Sequence, residues 1–206
     1  MKKILLMPFI FFILTNLNGQ KQDFKEKVSF VGGYGINGNI FVRAKDYGYR
    51  KKFIGTNLGF NTGLMIGKNS ELRLGYTRQE NQSRRIIYSD GVSVFINSQT
   101  RHVNNFFELL YSREFTNTKH IFKPGLGIVY MTFQQEEASY GPGTIEWEER
   151  NKKYNNLEDA GLMAEMAYEY KFQPRVNIGM RSQFYFNVTA GIAESVTLYP
   201  YIKILF

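Results

Sequence analysis

The segment Ile54-Gly55-Thr56-Asn57-Leu58-Gly59-Phe60-Asn61-Thr62-Gly63-Leu64-Met65-Ile66 decides how this chain is read. Its even positions carry Ile, Thr, Leu, Phe, Thr, Leu and Ile; its odd positions carry Gly, Asn, Gly, Asn, Gly and Met. Successive side chains of a strand point to opposite faces, so one face is oily and the other is small and polar. A period of two sustained over this length argues for a strand and against a helix.

The pattern recurs on both sides of this segment. Val28, Phe30, Tyr34 and Ile36 open the series; Leu72, Leu74 and Tyr76 oppose Glu71, Arg73 and Gly75. Phe107, Leu109 and Tyr111 oppose Glu108, although Asn105 then falls on the oily side. Phe122, Leu126, Ile128 and Tyr130 oppose Lys123, Gly125 and Gly127, and Leu162, Ala164, Met166, Tyr168 and Tyr170 oppose Glu165 and Glu169. Val176, Ile178, Met180, Phe184 and Phe186 oppose Asn177, Arg181 and Gln183; Val196, Leu198, Pro200, Ile202, Ile204 and Phe206 oppose Tyr199, Tyr201 and Lys203. The count is eight strands. Short connections at 67–70, 116–119 and 173–174 alternate with longer ones around 37–52, 80–101 and 135–156 and a moderate one at 188–194, which puts all short turns at one end. Ser89-Asp90-Gly91 is a tight-turn signal flanked by Ile86, Tyr88, Val92 and Val94, so the third and fourth strands are expected to project as a ribbon.

Composition agrees with strands. Aromatic residues make up 16% of the chain, too many for a disordered one, and the absence of Cys excludes a disulfide framework and thiolate metal sites. The orientation of the faces follows from charge. Arg73, Glu108, Lys123, Glu165, Glu169, Arg181 and Lys203 all lie on the polar parity. A soluble barrel would bury them in its core at several kcal/mol of desolvation each. Turned the other way, the oily face meets lipid and the charges pair in a narrow lumen. Only helices and closed barrels satisfy every backbone group in hydrocarbon. The expected fold is therefore an all-β, eight-stranded antiparallel up-and-down transmembrane barrel with a polar, plugged interior, since eight strands leave a space that side chains fill. Arg73, Lys123, Glu169 and Lys203 are expected in a lower layer near the short turns, and Glu108, Arg181 and Glu165 in an upper one, about 10–13 Å higher at 3.3 Å per residue. Tyr76, Tyr111, Tyr130, Tyr168, Tyr170, Phe184 and Phe186 are expected to form interfacial girdles.

The N-terminus reads differently. Lys2 and Lys3 precede an apolar run from Ile4 to Leu14, followed by Thr15-Asn16-Leu17-Asn18-Gly19. This is the layout of a secretory signal peptide, with a hydrophobic stretch too short to span a bilayer. Residues 1–19 are expected to be removed on export, and 20–206 to form the barrel.

With the export signal, the dyad strands and the terminal run Tyr199-Pro200-Tyr201-Ile202-Lys203-Ile204-Leu205-Phe206, the chain resembles the small bacterial outer-membrane barrels of the OmpX and OmpA-transmembrane type, and the small barrels of Bacteroidota-type bacteria. The resemblance implies residence in the cell outer membrane. It also implies that Ile202, Ile204 and Phe206 are the signal read by the barrel-assembly machinery. One departure is the presence of Pro124 and Pro200 inside strands, where each removes a ladder hydrogen bond; a bulge or incomplete closure is expected at Pro200.

Chemistry is sparse. A lipid A deacylase of this size uses a His with a Ser two places on. Here His102 is followed by Val103-Asn104 and His120 by Ile121-Phe122, so no catalytic residue, metal site or cofactor is expected. Lys51, Lys52, Arg84, Arg85 and Arg101, with Arg43, Lys45 and Arg50, crowd the first two long connections and suit lipopolysaccharide phosphates, or are simply a solvated rim. Trp147 stands among Glu136, Glu137, Glu146, Glu148 and Glu149 in the third; it is either an anchor for an extracellular protein partner or a packed loop residue. The excess of 26 basic over 18 acidic residues is scattered rather than gathered into one stripe, which excludes nucleic acid as partner. The sequence thus points to a structural or adhesive outer-membrane barrel without an open pore. An accessory part of outer-membrane transport or secretion, and a lipid A-modifying enzyme, are the alternatives.

Overall fold

Ten strands follow one another along the chain: β1 (Val28–Asn39), β2 (Ile54–Met65), β3 (Ser70–Ser89), β4 (Val92–Arg113), β5 (Phe115–Asn117), β6 (His120–Gly141), β7 (Thr144–Glu148), β8 (Leu157–Gln173), β9 (Val176–Asn187) and β10 (Ile192–Leu205). This is a computed structural model, and it describes residues 28–39, 54–89, 92–141, 144–148 and 157–206. The expected signal peptide, residues 1–19, lies outside the described residues.

Every pairing is antiparallel, in the order β4-β3-β2-β1-β10-β9-β8-β6, and β6 pairs back with β4 to close an eight-stranded cylinder. β5 continues the line of β4 along β6, and β7 pairs only with the outer part of β6. The division between β4 and β5 has a covalent cause. The β4–β6 ladder stops at Ser112 opposite Gly125 and resumes at Phe115 opposite Phe122, so the gap faces Pro124, which has no N–H to give. At Pro200 the expected bulge is absent. The β1–β10 ladder instead omits the pairs involving Tyr34 and Gly35 and resumes in the same register, while the only shift in β10 lies between Ala193 and Ser195.

The short turns gather at one end and brace one another: Glu114 N–H donates to Asn69 O at 2.7 Å, Lys171 N–H to Lys119 O at 2.9 Å, and Leu205 N–H to Arg175 O at 2.9 Å. At that same end Val28 and Phe206 exchange backbone hydrogen bonds of 3.3 and 2.8 Å.

The two faces separate as the alternation requires. Leu126, Met166 and Leu74 are 60–64% exposed on the outer wall, whereas Arg181, Lys123 and Glu169 are 0% exposed within. Hydrocarbon around the outer wall covers such side chains at no desolvation cost to the charges inside. Asn105 does stand on the outer wall. Its amide accepts from Tyr76 Oη at 2.8 Å and donates to Thr132 Oγ1 at 3.2 Å, beside the tilted ring pairs Tyr76–Phe107 and Phe107–Tyr130. A buried-amide penalty is thereby avoided within an aromatic girdle.

Two features qualify the expected design, the second of them extending the expected β3–β4 ribbon. First, the interior is not polar throughout. Phe106, Leu110, Val129, Met131, Met163 and Tyr185 form an apolar cluster against β4, β6, β8 and β9. A lumen this narrow is packed like a protein core, so part of its wall is free to be apolar. Second, β3, β4 and β6 run for 20, 22 and 22 residues. The β2–β3 ladder ends at Glu80, but the β3–β4 ladder continues to Ser89 opposite Val92, and β6 turns back into β7. One side of the cylinder thus extends upwards as two hairpins, β3–β4 and β6–β7, which are joined by β4–β6 pairing only as far as Thr100–Glu137.

Candidate functional site: the plugged lumen and the rim above it

The charges enter the lumen because they share the parity of Gly55, Asn57, Gly59, Asn61 and Gly63, and the wall facing them is cut down to glycine where the longest side chains arrive. The lower cluster is built on two lysines. Lys123 Nζ lies 2.9 Å from Glu71, 2.7 Å from Glu169 and 3.1 Å from Glu114; Lys203 Nζ lies 2.8 Å from Glu71 and 3.6 Å from Glu114. The carboxylates are completed by neutral donors: Ser29 Oγ donates to Glu71 at 2.7 Å, and Asn177 Nδ2 and Tyr201 Oη donate to Glu169 at 2.7 and 2.8 Å. A buried ion pair survives only when its remaining lone pairs are met in this way.

The upper cluster centres on Glu165. Its two carboxylate oxygens are divided between Arg73 and Arg181, the latter with Nε at 3.3 Å. Arg181 lies over the Tyr201 ring at 4.4 Å and donates to Tyr199 Oη at 3.3 Å. Glu108 is held apart from this pair. It accepts from Tyr185 Oη at 2.7 Å and Gln183 Nε2 at 3.3 Å, next to the apolar cluster. Above, amides predominate: Asn37 Nδ2 donates to Gln79 at 3.1 Å and Asn81 at 2.8 Å, and Gln79 Nε2 donates to Ser195 Oγ at 3.1 Å.

All seven charged residues singled out by parity are buried in the lumen, but their grouping differs from the expected layers. Arg73 belongs with Glu165 rather than with the lysines, because its long side chain reaches upward past the spacing of two strand positions. Arg181 serves Glu165 and makes no ion pair with Glu108. Three charged residues were missed. Glu71 shares Arg73's parity and was readable; Glu114 lies in the break opposite Lys123 and has no strand parity to reveal it; buried Glu194 sits in the register shift between Ala193 and Ser195.

At the rim, Arg101 is already paired with Glu136, its Nε 2.7 Å from the carboxylate, across the β4–β6 ladder. Arg84 and Arg85 stand on β3 opposite Gln99 and Ser98, while Lys51 and Lys52 lie outside the described residues. Ile202 and Ile204 face outwards, and Phe206 packs edge-on against Phe30 with ring centroids 5.6 Å apart. His120 is on the outer wall beside a short turn, its Nδ1 2.6 Å from Tyr168 Oη. Among the described residues no three His, Cys, Asp or Glu side chains are grouped to hold a metal ion.

No family model and no curated protein sequence matches this chain. Solved structures do. The attachment invasion locus protein Ail of Yersinia pestis, in complex with the heparin analogue sucrose octasulfate, superposes with a TM-score of 0.52 at 11% identity, covering 88% of this chain and 99% of that one. The N-terminal β-barrel domain of Pseudomonas aeruginosa OprF gives 0.49 at 10% identity over 88% of this chain and 100% of that one. The likeness is one of fold: this chain has the architecture of the small outer-membrane β-barrels.

Proposed function

We propose that the protein is a non-enzymatic, non-conducting barrel of the bacterial outer membrane that acts through the hairpins it raises above the bilayer, in adhesion or as a structural contact. The observation that carries this reading is the unequal length of the strands. A barrel needs about 9–11 residues per strand to cross the membrane, and β3, β4 and β6 are roughly twice that. The additional pairing builds a projection and adds nothing to the crossing. A lumen packed with buried side chains from the lysine cluster to Asn37 supports the absence of an open pore. Arg84 and Arg85 near the outer rim suit lipopolysaccharide phosphates, and Phe206 with Ile204 and Ile202 suits recognition by the assembly machinery.

Two measurements test the reading. In planar bilayers the refolded protein should show no steps of nanosiemens size; steady currents of that size overturn the plugged lumen. Replacing residues 83–98 by a short turn should leave the barrel folded in the membrane while abolishing adherence of cells that display it. Undiminished adherence would remove the projecting β3–β4 hairpin from the proposal. N-terminal sequencing of the exported protein should begin at Gln20.

A further inference from the structure

The seam where the first strand meets the last is interrupted midway along its length, whereas the other break in the cylinder, opposite Pro124, lies at the short-turn end and is continued by β5. Between Gly33–Tyr201 and Ile36–Leu198 the β1–β10 pairing is interrupted, whereas β8–β9 opposite is continuous from Gly161 to Lys171. Pro200 lacks the N–H that would have bonded across the gap. Side-chain cover is thin there as well. Gly32, Gly33 and Gly35 follow closely on β1, and on the lipid side an apolar groove of about 670 Å³ passes Gly32 between Phe30, Phe60, Ile202 and Ile204.

What spans the gap is Tyr199. Its ring lies so close to β1 that a Cβ on Gly33 would come within 2.5 Å of Cδ2, and one on Gly35 within 2.4 Å of the Tyr199 Cβ. Its hydroxyl reaches β2, 3.0 Å from where a Cβ of Gly59 would stand, and donates to Gln183 Oε1 at 3.1 Å on β9. One fully buried side chain therefore ties β10 and β9 to β1 and β2 across the very stretch where the backbone does not.

We propose that the β1–β10 seam is a separate, weaker unit of the barrel that opens before any other ladder, with the Tyr199 ring as the latch holding it shut. Local opening starts where backbone bonds and packed side chains are fewest, and in this cylinder that place is fixed by Pro200 and the three glycines. Closing the latch also completes the lumen, because Tyr199 accepts from Arg181.

Hydrogen exchange of the refolded protein in micelles, read by mass spectrometry, tests this. Peptides covering 31–37 and 195–201 should exchange before those of β8 and β9. Tyr199→Ala should speed the seam peptides by about tenfold or more and leave β8–β9 unchanged, while Tyr199→Phe, which keeps the ring, should stay within about threefold of the parent. A disulfide between Ile36→Cys and Leu198→Cys, which face each other beside the gap, should slow seam exchange and raise the unfolding temperature more than one between Tyr168→Cys and Met180→Cys on β8–β9. First exchange in another ladder, or equal gains from the two disulfides, overturns the proposal. Should Tyr199→Ala fail to fold, the parent protein's exchange order and the two disulfides still decide.

Discussion

Glu165 has two guanidinium partners and accepts from Gln183 Nε2 at 3.2 Å, which makes it the most exacting residue of the lumen. Glu165→Gln keeps the shape but leaves Arg73 and Arg181 facing a neutral amide in a site sealed from water. Breaking a buried pair by removing one charge costs about 3–5 kcal/mol, and denaturant unfolding in micelles should register a loss of that size. The surface pair Arg78–Glu80, with side chains 40% and 30% exposed, supplies the contrast. Arg78→Ala should change stability by less than about 1 kcal/mol. At this scale the sequence was legible in one coordinate and silent in another. Parity says whether a side chain enters the lumen, because a strand offers only two directions. It does not say which charge meets which, because an arginine's reach exceeds the rise between neighbouring positions. Arg73 consequently rose to Glu165, and Glu108 settled with Tyr185 and Gln183 instead of Arg181.

Strands were legible where they cross the membrane and lost their signal above it. Between Val28 and Ile36, or Val176 and Phe186, lipid lies on one side and lumen on the other, so the two faces must differ. Beyond Gln134 on β6 that difference between the two surroundings ends, and the ladder continues without period-two patterning. The projecting β3–β4 ribbon was legible from its turn signal at Ser89-Asp90-Gly91, whereas the upper part of β6 and the whole of β7 were hidden. The membrane-facing part gives a sharp test. Leu126 is 64% exposed on the outer wall of β6, between Tyr111 and Ala164 on its neighbours. Leu126→Arg should cost about 2–4 kcal/mol in lipid vesicles if it lies near the bilayer midplane, whereas the same charge at Gly127, facing the lumen, meets a different obstacle, the backbone of Leu109. The last strand carries a second test. Deleting Phe206 removes one ring from the Phe30 contact and one reciprocal backbone pair with Val28, a small structural loss. Refolding in micelles should survive the deletion, and the amount reaching the membrane in cells should fall sharply; equal loss in both would make Phe206 a packing residue and nothing more.

Across the molecule, stability and display are assigned to different levels. The charges, the apolar cluster and Tyr199 fill the cylinder between the short turns and Asn37, while the β3–β4 and β6–β7 hairpins continue beyond the ladders that close it. Changes to the hairpins should leave the barrel resistant to unfolding by detergent at room temperature, visible as a faster-moving band on gels run without boiling. A wholesale loss of that band on shortening the β3–β4 ribbon would show the two levels to be coupled. The reciprocal hydrogen bonds between Val28 and Phe206 carry a separate consequence. Start and finish of the cylinder are neighbours, so a short linker should join them and new ends could be opened at an outer connection without crossing any strand. Such a circular permutant should still refold from urea into micelles, since each ladder keeps its partners. In the cell it should stall, because the aromatic terminus would have become an interior link, and the topology of the wall would be intact while its delivery address was erased.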